Sequence, residues 1–167
     1  KKKIDSIRNF GFNQENNIEN VGLNGKMSEF NSLLGLSQLK YFRKVLSTRK
    51  LINSKYNELL NSFKYLRIPK ILLEQSYNNT YYPVMLTKNS PISRDCLIDK
   101  LREKRIYVKK YYSPLLNNHD IYGNYDRNSL FPVANEVAKR IICLPIYPDL
   151  DNNKQLFIID QLKLAFS

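Results

Sequence analysis

The clearest pattern in the chain begins at Met27. Met27, Phe30, Leu34, Tyr41, Val45, Ile52, Tyr56, Leu59 and Phe63 recur at steps of three and four, or sums of these, which is the repeat of one helix face. No proline interrupts the stretch. The pattern predicts helix from Ser28 to about Asn61, as one long element or two. Ser28 suits the N-cap, and Glu29 suits the positive end of the helix dipole. Residues 5–21 are polar and Asn-rich, and they read as a loop.

Beyond the long helix the period changes. Leu66-Arg67-Ile68-Pro69 reads as a short strand. Asn79-Thr80-Tyr81-Tyr82-Pro83-Val84-Met85-Leu86 reads as a second, in which Pro83 points to an edge or a bulge. Ser93 is placed to cap a helix through about Lys104, with Cys96, Leu97 and Leu101 inward. Arg105 to Tyr112 alternates Ile106, Val108 and Lys110 against Tyr107, Lys109 and Tyr111, which is strand spacing. A loop follows from Ser113 to Phe131. Pro132 then opens a helix carrying Val133, Val137 and Ile141. Cys143 to Pro148 reads as an apolar loop pinned by two prolines. Asp151 caps a last helix with Leu156, Ile159, Leu162, Leu164 and Phe166. The expected fold class is α+β: a small, mainly antiparallel sheet with a long N-terminal helix and further helices packed on it. Tyr41, Phe42, Tyr56, Phe63, Tyr81 and Tyr82 fall on these spacings and read as core aromatics.

Composition narrows the function. The chain has 167 residues, 43% of them hydrophobic and 25% charged, which suits a globular domain with a core. No apolar run is long enough for a membrane helix, and the Lys1-Lys2-Lys3 start has no signal-peptide pattern. The absence of an initiating Met suggests a piece of a longer chain. Cys96 and Cys143 are well separated, and they read as reduced, buried thiols of a cytoplasmic protein. The net charge of +12 favours anionic ligands.

No complete catalytic set or metal-ligand cluster is visible. His119, the only histidine, reads as a solvated loop residue. Gly22-Leu23-Asn24-Gly25-Lys26-Met27-Ser28 has the makings of an anion contact, although on these residues alone a plain loop with a helix cap is the favoured account. Two glycines allow tight turns, Asn24 offers an amide donor, and Lys26 offers a cation ahead of a helix N-terminus.

Four motifs in order resemble the DegT/DnrJ/EryC1/StrS family of sugar aminotransferases. They are Arg8-Asn9-Phe10-Gly11; Gly22, Asn24, Lys26, Met27, Glu29, Gly35, Gln38 and Leu39; Lys109-Lys110-Tyr111-Tyr112-Ser113-Pro114-Leu115; and Pro132-Val133-Ala134 through Cys143-Leu144-Pro145-Ile146-Tyr147-Pro148. The resemblance implies the C-terminal part of a fold-type I enzyme that uses pyridoxal 5'-phosphate (PLP). Residues 1–27 would connect from a PLP-binding large domain, and residues 28–167 would form the C-terminal small domain. Such enzymes move an amino group from glutamate to a nucleotide-linked keto sugar, for surface polysaccharide or glycan synthesis, as homodimers.

By resemblance, Asn24 would reach the phosphate of the partner subunit's PLP. Lys26, Lys109, Lys110, Tyr111 and Tyr112 would lie near the sugar nucleotide. The family's arginine before the paired aromatics is lysine here, and lysine lacks the guanidinium fork. The family's cofactor-bearing lysine precedes a Gly-Gly pair, and this chain has no Gly-Gly. The chain alone is therefore expected to be inactive. Two other readings remain: a basic nucleic-acid-binding module, suggested by the Lys/Tyr interleaving, and a PLP-dependent dehydratase or regulatory relative on the same fold.

Overall fold

The structure is a computed structural model describing residues 1–70, 77–111, 113–119, 121 and 131–167. Its contacts divide the chain into two compact units, Lys1–Arg43 and Lys44–Ser167. The division falls inside the long helix.

In the first unit a short helix α1, Lys2–Ile7, precedes a loop that folds back along it. This helix was expected to be loop from Asp5 onward. Backbone bonds hold the return: Leu23 N–H donates to Ile7 O at 2.8 Å, and Gly25 N–H to Arg8 O at 2.8 Å. An antiparallel bridge joins Asn9 to Asn24. Two glycines make this close approach possible. A Cβ on Gly11 would sit 1.8 Å from Asn20 O, and one on Gly22 would sit 2.1 Å from the Gly11 nitrogen. The long helix α2 runs Glu29–Leu60, as its period predicted. Ser28 Oγ accepts from Asn31 N–H at 3.3 Å, which makes it the expected cap.

Burial along α2 differs from the prediction. Ile52, Tyr56 and Leu60 are buried. Phe30, Leu34, Tyr41 and Phe42 are exposed, Phe30 at 75% and Tyr41 at 64%. Tyr41 and Phe42 are thus not core residues of this chain. Helical spacing reports which residues share a face, and it does not report whether the same chain covers that face.

The second unit is built on a four-stranded antiparallel sheet. Its strands are β1 (Leu66–Arg67), β2 (Tyr82–Leu86), β3 (Lys109–Lys110) and β4 (Ile141–Leu144). Their order is β1-β2-β4-β3. The predicted α+β class is therefore the observed one. β4 is a correction: its residues were expected partly in a helix and partly in a loop. Ile141, Ile142, Cys143 and Leu144 are all buried, so the strand shows no alternation for a period-based reading to detect.

Pro83 is a second correction, because it lies in an inner strand. Leu86 N–H donates toward β4, to Arg140 O at 2.9 Å. Strand alternation then turns Pro83 to the opposite side, where two-residue β1 pairs only with Met85 and Leu86. Pro83 therefore removes no ladder bond.

Helices α3 (Arg94–Glu103) and α5 (Asn152–Ala165) carry the predicted caps. Ser93 accepts from Cys96 N–H, and Asp151 accepts from Lys154 N–H at 2.8 Å. The inward face of α3 is Arg94, Leu97, Ile98 and Leu101, and Cys96 is exposed, contrary to expectation. On α5, Ile158, Ile159, Leu162 and Ala165 are buried, while Leu156 and Leu164 are exposed. The Lys100 ammonium donates to Ala165 O at 2.8 Å and ties the two helices together. A short helix α4, Pro132–Ala138, begins at proline as predicted, though Val133 is 75% exposed.

The core joins α2, the sheet, α3 and α5. Tyr56, fully buried, donates to Pro145 O at 3.0 Å, and its ring lies 4.8 Å from that of Tyr82. Tyr82 donates in turn to Asn57 Oδ1 at 2.7 Å. Burial raises the pKa of both tyrosines far above the ordinary phenol value. Buried Gln155 donates to Ile52 O at 3.0 Å and fixes α5 on α2.

Candidate functional site

The expected site residues fall in two places, one in each unit. In the first, the turn before α2 presents Asn24 to solvent. Its backbone is held by the bridge to Asn9, and its carboxamide has no partner among the described residues. Lys26 is exposed beside it, with its ammonium 5.5 Å from the centroid of the Phe10 ring. Arg8 faces Asp5 at 3.5 Å. Asp5, Arg8, Asn9, Lys26 and Met27 line a shallow groove of about 480 Å³. The first α2 turn contributes less than expected, since Ser28 takes the Asn31 N–H and Glu29 adds a negative charge there. The anion-binding capacity of this turn rests on an amide donor and the Lys26 ammonium, since Arg8 is paired with Asp5.

In the second unit, Lys109 and Lys110 form the edge strand β3. Successive strand residues face opposite ways. Lys109 Nζ lies 5.9 Å from the centroid of the Tyr81 ring, and Tyr81 meets Tyr111 edge-on at 5.5 Å. Lys110 is instead paired with Asp95 at 3.0 Å, and Asp95 also takes Arg94 Nε at 2.8 Å. The hydrogen bond from Arg94, then that from Lys110, lowers the Asp95 pKa below the usual carboxylate value. Lys109 is therefore the more available cation of the pair.

A groove of about 400 Å³ is lined by Tyr81, Lys109, Lys110, Tyr111, Ser113, Pro114 and His119. Tyr112 lies outside the described residues. Tyr81 was read as a core residue and His119 as a solvated one. Tyr81 is half-buried and forms a groove wall, while exposed His119 lines the same groove. The Tyr81-Tyr82 pair carried the signal: in a strand, one neighbour faces the core and the other faces away. Cys143 lies under this region. Burial raises its thiol pKa to about 11, against a smaller opposing effect of Lys109. Both cysteines are free.

No group of three or more His, Cys, Asp or Glu residues among the described residues could hold a metal ion. No described helix is long and apolar enough to cross a membrane.

The chain matches the DegT/DnrJ/EryC1/StrS aminotransferase family over residues 1–163, and it belongs to that family. It is 37% identical over 153 residues to the dTDP-4-amino-4,6-dideoxy-D-glucose transaminase of Escherichia coli, covering 90% of this chain and 41% of that protein. It is 30% identical over 163 residues to the enzyme of the same name in Shigella dysenteriae, covering 98% of this chain and 44% of the relative. Its fold matches a DegT DnrJ EryC1 StrS aminotransferase from Brucella abortus with a TM-score of 0.84 at 21% identity, covering 99% of this chain and 43% of that structure. The chain thus spans less than half the length of these relatives.

Proposed function

We propose that this chain is the C-terminal part of a PLP-dependent aminotransferase that transfers an amino group from glutamate to a nucleotide-linked keto-deoxy sugar. The observation that carries this reading is the 37% identity over 153 residues to a dTDP-sugar transaminase. In this reading, residues 1–27 connect to a cofactor-binding domain, and residues 28–167 form the small domain. The parent acts as a homodimer in the cytoplasm, in surface polysaccharide sugar synthesis.

The first-unit turn suits the phosphate of PLP. Its exposed amide donor has no partner among the described residues, and cationic Lys26 stands nearby, with Arg8 paired to Asp5 in the same groove. Asn24 would hold the phosphate of the partner subunit's PLP, with Lys26 near the substrate. The bound cofactor supplies the electron sink that amino transfer needs. Lys109, Tyr81 and Tyr111 would receive the sugar nucleotide, the ammonium facing a phosphate and the rings packing on flat apolar faces. Lys110, paired with Asp95, would position the strand, and Tyr112 belongs with this group by its place in the motif.

The test uses the parent protein, glutamate and a dTDP-linked 4-keto-6-deoxy sugar. The expected result is an amino sugar formed with matching 2-oxoglutarate. A PLP-loaded parent that dehydrates the sugar, or leaves it unchanged, overturns the proposal. The 167-residue chain mixed with PLP is expected to develop no visible absorbance from lysine-bound cofactor.

A further inference from the structure

The second unit carries another cleft, of about 270 Å³, lined by Arg105, Ile106, Tyr107, Pro145, Tyr147, Leu150, Lys154, Phe157 and Ile158. Its walls include three exposed rings: Tyr107 at 71%, Tyr147 at 42% and Phe157 at 48% exposure. Among the described residues, no carboxylate lines it. Lys154 is partly neutralised by Asp151 at 3.1 Å. The guanidinium of Arg105 has no partner among the described residues and is exposed.

Arg105 is also strained. It follows the end of α3 with φ of 59°. Its N–H donates to Arg102 O at 2.8 Å, and the next N–H, that of Ile106, donates to Leu101 O at 2.9 Å. This is the left-handed helix stop at which glycine is the favoured residue. A β-carbon there has a conformational cost, and the arginine side chain has no hydrogen bond or ion pair among the described residues that offsets it.

We propose that this cleft binds a planar aromatic ring carrying an oxyanion, such as a nucleoside monophosphate. The ring lies among Tyr107, Tyr147 and Phe157, and the Arg105 fork takes the anion. The charge at the mouth selects the occupant: a neutral ring leaves the guanidinium unused, and an anion without a ring leaves the aromatic walls bare. Arg105 does not line the proposed sugar-nucleotide groove, so this inference stands apart from that reading.

The experiment titrates the 167-residue chain with thymidine 5'-monophosphate by calorimetry, alongside Arg105→Gly, Tyr107→Ala and Lys88→Ala, the last an exposed lysine outside the cleft lining. Arg105→Gly is expected to melt higher than the parent sequence, because glycine relieves the left-handed position. It is also expected to bind at least about tenfold more weakly, the loss of one charge-assisted hydrogen bond. Tyr107→Ala should weaken binding, and Lys88→Ala should leave it within about twofold. Three results each overturn the proposal: absence of saturable binding, binding unchanged in Arg105→Gly, or binding unchanged in Tyr107→Ala. Binding unchanged in both cleft variants would assign the nucleotide to the groove lined by Lys109. Weak binding by an Arg105→Gly variant that melts higher cannot come from misfolding.

Discussion

Replacing Tyr56 by Phe removes one oxygen from the centre of the second unit. Tyr56 is fully buried, and its hydroxyl donates to Pro145 O at 3.0 Å. Pro145 ends the apolar run of β4 and lines the cleft that holds Tyr107. The bond therefore connects α2 to the segment that shapes the cleft wall. The ring contact with Tyr82 at 4.8 Å survives in phenylalanine, so the packing loss is small. The lost bond contributes about 1 kcal/mol net, and the stranded carbonyl brings the total to about 1–2 kcal/mol. For a unit of this length, Tm then falls by about 4–8 °C. Thermal melting of the two proteins in parallel is the assay. Tyr56→Ala should cost about 3–5 kcal/mol, because it also leaves a cavity. A Tyr56→Phe protein melting within about 1 °C of the parent sequence would refute the reasoning, because a bond of this strength must register in Tm. So would one that melts as low as Tyr56→Ala, since the hydroxyl would then outweigh the ring.

Other expectations concern the turn and the ion-paired strand. Gly22→Ala places a methyl group 2.1 Å from the Gly11 nitrogen and 2.4 Å from the Phe10 carbonyl carbon. Both neighbours are backbone, so the return loop must shift at a cost of about 1–3 kcal/mol. Hydrogen exchange at the Leu23 and Gly25 amides should speed up about tenfold or more, and unchanged exchange would show that the loop is looser than its bonds imply. Asp95 carries a lowered pKa, through Arg94 first and Lys110 second. Its stabilising contribution is therefore present above the unfolded carboxylate value, near pH 4, and is lost as pH falls through the lower folded value. Asp95 is 58% exposed, so solvent screening holds that contribution under about 1 kcal/mol. Asp95→Asn should melt slightly lower than the parent sequence at pH 7 and equal to it once the pH has fallen below the lowered folded value. A gap that persists in acid would assign the effect to packing.

What could be read from the sequence depended on whether a signal was local. Ser93 and Asp151 were legible as caps because a side-chain oxygen before a helix has one local partner to find. The length of α2 was legible from its period. The exposure of Phe30, Tyr41 and Phe42 was not, since periodicity carries no information about what lies opposite a face. β4 was missed because it is buried on both faces and flanked by Pro145, so it looks like an apolar loop. At the candidate site, Lys109, Lys110 and Tyr111 came from a motif, and the structure brings them together with Tyr81. The division of labour between the two lysines needed coordinates, because the Asp95 partner lies on α3. Tyr81 was misread because its neighbour Tyr82 is the residue that enters the core. The alternation along β2 was the signal that separates the two neighbours, with Tyr82, Val84 and Leu86 buried on one face.

The account rests on Asn24 gripping the phosphate of a cofactor, and retention of PLP by the parent protein tests it most directly. Equilibrium dialysis of the parent and its Asn24→Ala variant measures the PLP dissociation constant. The account predicts about a tenfold or greater rise, the loss of one hydrogen bond to a charged group. A variant that holds PLP as tightly as the parent, while folded and dimeric, would contradict it.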